Sequence, residues 1–167
     1  MQITRAGEYA VLAATHLARQ GDERPVMIEE ICETAHIPRS FLAKILQILC
    51  RAGVVRSQRG IHGGFRLTRD PSKISILNLI EAVEGPIALQ RCLDKPIQCH
   101  QVGSCTLCDI FGEAQHRMTE VFANTTVADL LRSKGEVMRR VQSLGRPRPN
   151  GARATRPAVP QPALINA

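Results

Sequence analysis

Apolar residues recur along this chain at helical spacing until about residue 52, and the rhythm then changes. An apolar stretch over 9–18 is interrupted by His16 and preceded by Glu8, which reads as an amphipathic helix rather than a signal peptide. Over 28–34, Ile28, Ile31 and Cys32 fall on one helical face. Ala35-His36-Ile37 then reads as a short turn. Pro38 suits the first position of a second helix, where its missing N–H costs nothing. That helix is predicted to run to about Ala52, with Gly53 as the residue that ends it. Leu42, Ile45, Ile48 or Leu49, and Ala52 would form its buried stripe, while Ser40, Lys44, Gln47 and Arg51 share the opposite face.

Beyond Gly53 the pattern becomes that of a hairpin. Val54-Val55-Arg56-Ser57 reads as a strand, Gln58-Arg59-Gly60-Ile61-His62-Gly63-Gly64 as a glycine-rich turn, and Phe65-Arg66-Leu67 as the returning strand. Further on, Leu107, Phe111, Ala114, Met118, Val121, Thr125 and Ala128 alternate in spacings of four and three. This heptad seam is long enough to pair with a second helix, although packing within the chain would use the same residues. Thr126 with Asp129 resembles a capping arrangement that opens a short following helix.

Composition adds a core type and a partner. The chain has 167 residues, 44% hydrophobic but only 3% aromatic and without Trp, so a helical protein with a Leu, Ile, Val and Ala core is expected. The net charge of +7 is unevenly placed. Residues 35–69 hold Arg39, Lys44, Arg51, Arg56, Arg59, Arg66 and Arg69 and no acid, which is +7 by itself. Residues 145–167 add Arg146, Arg148, Arg153 and Arg156 without an acid, leaving a net −4 elsewhere. Such a balance points to an anionic partner. The tail also holds Pro147, Pro149, Pro157, Pro160 and Pro162 with little to bury, and is expected to be disordered. No apolar run approaches the roughly 20 residues that span a bilayer, so no membrane partner is expected and the cytoplasm is the expected compartment.

Two helices joined by a tight turn, the second with a basic polar face, make a helix-turn-helix. The second helix would enter the major groove of double-stranded DNA, its N-terminal residues reaching base edges. Arg39, Ser40, Lys44 and Gln47 are the candidate base readers, with Arg51 on the same face. The hairpin would be a wing. Gly60, Gly63 and Gly64 would permit close approach to a sugar–phosphate backbone, and Arg59 and His62 at the tip would reach phosphate or the minor groove. The glycine-rich turn lacks the G-x-x-x-x-G-K-[ST] pattern of a nucleotide-phosphate loop.

Four of the six cysteines, Cys92, Cys99, Cys105 and Cys108, fall within seventeen residues just before the heptad helix. Thiols so placed suit an iron–sulfur cluster or a zinc ion. Cys32 and Cys50 sit singly among apolar residues and read as small core side chains. No nucleophile–base or carboxylate pair has a recognisable setting, so the chain does not read as an enzyme.

These motifs together resemble the Rrf-two family of bacterial winged-helix regulators, whose members include IscR, NsrR and BadM-type proteins. The resemblance rests on Ile3-Thr4 with Tyr9-Ala10, on Ile37-Pro38-Arg39-Ser40-Phe41-Leu42, and above all on Arg59-Gly60 followed by Gly63-Gly64-Phe65-Arg66-Leu67. Pro71, Ile74, Glu84-Gly85 and the cysteines that come next extend it. It implies a homodimer on pseudo-palindromic operator DNA. It also implies that Cys92, Cys99 and Cys105 ligate a cluster. The fourth ligand varies in the family. Here Cys108 matches one option and Glu8 from the partner subunit the other, with His100 a weaker third. The cluster type, two-iron (2Fe-2S) or four-iron (4Fe-4S), therefore stays open. A thiolate at Cys108 would gain from the positive end of the helix dipole.

The expected fold is mainly α: a winged helix-turn-helix with a small β-hairpin wing and a long dimerisation helix. The expected organisation is a DNA-binding domain over 1–86, a cysteine-rich loop over 87–108, a dimerisation helix and short C-terminal helix over 109–144, and the basic tail over 145–167. The expected function is a DNA-binding transcriptional regulator that senses iron–sulfur status, redox state or nitric oxide. A structural zinc or a thiol redox switch on the same scaffold is the first alternative. A small iron–sulfur electron-transfer protein is the second, and the basic winged segment argues against it.

Overall fold

The structure is a computed structural model that describes residues 3–21, 24–60, 63–90, 93 and 105–144. The expectations for His62, Cys92, Cys99, His100 and the 145–167 tail lie outside the described residues. Helix α1 (Arg5–Gln20) starts where the Thr4 hydroxyl accepts a hydrogen bond from the Ala6 amide at 3.2 Å. It buries Ala10, Ala13, Ala14 and Leu17, and these small side chains let α2 (Ile28–Ala35), α3 (Arg39–Arg51) and α4 (Ile76–Glu84) pack close around it. His16 is also buried, and that burial lowers its pKa. Gly7 lies where α4 crosses α1: a Cβ there would strike the Glu84 carboxylate.

The helix-turn-helix forms as the pattern predicts, with two corrections. His36 takes the left-handed conformation that ends α2, at φ 53°. Pro38 precedes α3 as its cap with extended ψ, rather than being its first helical residue. The buried stripe of α3 is Leu42, Ile45, Leu46 and Leu49, whereas Ala52 is exposed, because the helix ends at Arg51 and Gly53 (φ 69°) turns the chain into the hairpin. Ile31, Ile37 and Leu17 close the same core, and each fully buried aliphatic side chain contributes about 1.5–3 kcal/mol.

The wing pairs β1 (Val55–Gln58) with β2 (Gly64–Leu67) in antiparallel register, Val55 opposite Leu67 and Gln58 opposite Gly64. Val55 and Leu67 face the core. Val26 adds a bridge to Phe65 through reciprocal backbone hydrogen bonds of 2.9 and 2.8 Å. A 3-10 turn (Pro71–Lys73) leads to Ser75, which forms a reciprocal capping box with Asn78 at the start of α4.

The long helix α5 (Thr106–Asn124) stops four residues short of Ala128, the end of the expected seam. Thr125 is buried, and the Thr126–Asp129 capping box opens the short α6 (Val127–Leu130). Val127 returns to the main core, donating its amide to the Ile74 carbonyl at 2.9 Å. A final helix, α7 (Lys134–Leu144), is tied back by Arg140 on the buried Asp129 at 3.4 Å. One face of α5 packs on its own chain: Met118 and Phe122 lie against Ile76, Ile80 and Ile87. The other end is open, with Leu107 56% and Ile110 65% exposed. The seam is therefore divided, its Met118 turned inward and its Leu107 left on the surface.

Candidate nucleic-acid interface and metal centre

Burying Leu42, Ile45, Leu46 and Leu49 turns Ser40, Lys44, Gln47 and Arg51 to solvent along one side of α3. Among the described residues none of Lys44, Arg51 and Arg59 has an ion pair, so their charges are available to an incoming anion. Arg39 differs. Its Nε donates to Glu29 Oε1 at 3.0 Å, joining α3 to α2. Both side chains are more than half exposed. Such an exposed pair adds little to stability, and a phosphate can displace the carboxylate.

Phe41 was not among the residues singled out from the pattern, yet it is 59% exposed beside this polar row. It flanks the stripe at Leu42, and spacing alone assigned it to neither face. Arg56 and Arg66 were counted in the basic stretch and placed on the strands, with no contact of their own assigned.

The wing tip is shaped by glycine for identifiable reasons. Gly60 adopts φ 111° and accepts the Gly63 amide at 2.9 Å, which folds the turn. A Cβ on Gly63 would strike the Gln58 carbonyl, and one on Gly64 (φ 147°) would come within 2.5 Å of the Val26 carbonyl. Arg59 is exposed at the end of β1. The described residues of the turn, Arg59, Gly60, Gly63 and Gly64, offer glycine backbone and one guanidinium, a combination that fits a sugar–phosphate surface.

At the other end of the molecule, Cys105 caps α5 and Cys108 occupies its first turn. The Cys108 amide donates to the Cys105 carbonyl at 3.1 Å, and both residues are half-buried. Leu89 and Leu93, earlier in the chain, contact the same helix further along. The Leu89 amide donates to Gln115 Oε1 at 2.9 Å, and Leu93 Cδ2 lies 3.8 Å from where a Cβ on Gly112 would be, one turn beyond Cys108. Two thiols three residues apart at the head of a helix suit the donor set of an iron–sulfur cluster or a zinc ion. Among the described residues no three metal-ligating side chains gather. Glu8 is exposed on the first turn of α1. Cys32 and Cys50 are half-buried, and burial raises both thiol pKa values, which keeps them in the unreactive thiol form.

No helix among the described residues is long and apolar enough to cross a membrane. Comparison with known proteins accounts for the arrangement. Residues 3–133 match the family described as "Rrf2: Iron-dependent Transcriptional regulator". The HTH-type transcriptional regulator IscR of Vibrio vulnificus is 33% identical over 138 residues, covering 83% of this chain and 81% of the relative. Among solved structures, CymR, the global cysteine regulator of B. subtilis, superposes with a TM-score of 0.67 at 26% identity, over 78% of this chain and 95% of that one. IscR of T. potens superposes with a TM-score of 0.62 at 27% identity, over 78% of this chain and 86% of that one. These proteins are regulators, not enzymes, and they share the helical winged fold described above. The chain belongs to the Rrf2 family of helix-turn-helix transcriptional regulators.

Proposed function

We propose that this regulator works as a homodimer on operator DNA and responds to its surroundings through an iron–sulfur cluster held by Cys92, Cys99 and Cys105. The observation that carries the reading is the pairing of two features in one fold: an acid-free basic face on α3, and Cys105 and Cys108 at the head of the long helix α5. Ser40, Lys44 and Gln47 read base edges, Arg39 and Arg51 contact the flanking backbone, and Arg59 with Gly60, His62, Gly63 and Gly64 meets the sugar–phosphate surface. Cys108 serves as the fourth ligand, and Glu8 of the partner subunit is the competing candidate. When bound, the cluster supplies a thiolate-held redox centre sensitive to oxidants, nitric oxide and iron supply. The exposed Leu107 and Ile110 support a subunit contact along the first half of α5.

Anaerobic purification with iron and sulfide counting and a visible spectrum tests the cofactor. A brown protein with iron and sulfide in equal amounts is expected. A colourless protein carrying zinc would replace the cluster with a structural metal, and a colourless metal-free protein would leave a thiol switch. In the same assay Cys108→Ser is expected to lose or alter the cluster and Glu8→Ala to keep it. The opposite pattern would move the fourth ligand to the partner subunit.

A further inference from the structure

The outward face of the wing carries a charge arrangement that the described residues leave without a counter-charge. The register sets Arg56 directly opposite Arg66. Their neighbours Val55 and Leu67 are buried, so alternation along each strand turns both arginines to the other side of the hairpin. Directly opposed cross-strand positions have Cβ atoms about 5 Å apart, and like charges placed there weaken the pair. Elsewhere in this molecule Arg24, Arg39, Arg117, Arg132 and Arg140 find carboxylates. Among the described residues Arg56 and Arg66 find none, and the sequence supplies no acid anywhere between residues 35 and 69. Arg66 is half-buried, and its Nε is shielded from solvent without a hydrogen-bond partner among the described residues. A charged donor withdrawn from water and left unpaired is an arrangement awaiting an acceptor.

We propose that Arg56 and Arg66 form a phosphate clamp on the outward face of the wing, holding a DNA phosphodiester in addition to the contacts of α3 and the wing tip. Two guanidiniums across a strand pair present several N–H donors to one anion, and a phosphodiester offers two free oxygens. A nucleic-acid phosphate is favoured over an acidic protein surface because the same hairpin continues into Arg59 and the bare glycine turn. The clamp rests on the DNA-binding reading above.

The test uses the full-length protein, a duplex it selects from a random-sequence pool, and an unrelated duplex of equal length. Affinity is measured across a salt series for the wild type, Arg56→Gln, Arg66→Gln and the double variant, with the Arg56→Lys/Arg66→Lys protein as a charge-preserving control. The double Gln variant is expected to lower the magnitude of the slope of log affinity against log salt by about 1 per bound protomer, and each single substitution by less than that, on both duplexes. The Lys control should keep most of the wild-type slope. Thermal unfolding without DNA should show the double Gln variant at least as stable as the wild type, since a like-charge pair has been removed. Unchanged slopes in the double variant would overturn the clamp while leaving DNA binding intact, and would turn attention to an acidic protein partner. A wild type that shows no salt-dependent binding to either duplex would overturn the DNA-binding reading itself.

Discussion

Lys44 and Arg59 represent two kinds of contact that single substitutions separate. Lys44 is exposed on the polar face of α3, where a base edge would come within reach. Lys44→Ala should therefore cost about 1–3 kcal/mol on the selected duplex and relax preference at one base position, measured by competition with single-base variants. Arg59 follows β1 at the glycine turn. Arg59→Ala should weaken binding to all sequences alike and reduce the salt slope by about 1 per protomer. If both variants bind as the wild type does, α3 and the wing do not face DNA. Gly7 poses a packing question at the same scale. Ala would add about 1 kcal/mol of helix propensity, but its Cβ would strike a Glu84 carboxylate already fixed by the Thr4 amide and hydroxyl at 2.9 and 3.0 Å. Overpacking of about 1–3 kcal/mol should win, so Gly7→Ala should lower the unfolding midpoint. In a Glu84→Ala background the same change should be neutral or stabilising, and a penalty that persists there would place the clash elsewhere. Nothing in the sequence pattern marks Gly7, because the requirement comes from a helix 70 residues away.

At the scale of elements, α2 and α3 were legible because burial and exposure alternate at helical spacing in Leu42, Ile45 and Leu49 against Ser40, Lys44 and Gln47. The boundary error at Pro38 arose because a proline suits both the cap and the first helical position. The α5 seam was legible as a spacing but not as a destination. Leu107, Met118 and Thr125 fit one repeat, yet Met118 packs on α4, Leu107 is exposed and Thr125 lies beyond the helix end. Periodicity reports that a face is apolar, while tertiary contacts decide what covers it. The entry into α2 also makes a pH prediction. Glu30 accepts from Arg24 at 2.6 and 2.9 Å and from the Met27 amide at 3.1 Å, and these hold its carboxyl at about 2, below the ordinary 4.5. A depressed carboxyl contributes stability that is fully present above pH 4.5 and is lost as pH falls through about 2. Glu30→Gln should therefore lower the thermal midpoint at pH 6 and converge on the wild type near pH 2. An equal deficit at both pH values would show that the carboxylate charge is not what matters.

For the whole molecule, the fold class was readable because the acid-free basic stretch over 35–69 coincides with the turn, α3 and the hairpin, next to a helix of clear apolar spacing. What the pattern did not reveal are juxtapositions across the fold, such as Arg56 on Arg66 and Asp129 with Arg140. On the proposed reading the cysteine segment lies between the DNA reader and the subunit contact. The Leu89–Gln115 hydrogen bond ties the chain after α4 to α5, and the Met118–Ile80 cluster joins α5 to α4. Ordering the segment would then fix the separation of two α3 helices, which must match a DNA turn of about 34–36 Å. If the first half of α5 forms the subunit contact, replacing Leu107 and Ile110 by Glu should yield monomers in equilibrium sedimentation and abolish tight binding to a two-half-site duplex. A dimer that survives both changes would place the contact elsewhere. The most direct test of the account is the affinity of cluster-loaded and cluster-free protein for the same selected duplex at one salt concentration. The account predicts a difference of about 5–150-fold, with Cys105→Ser protein behaving like the cluster-free form in both preparations. Equal affinities would contradict it.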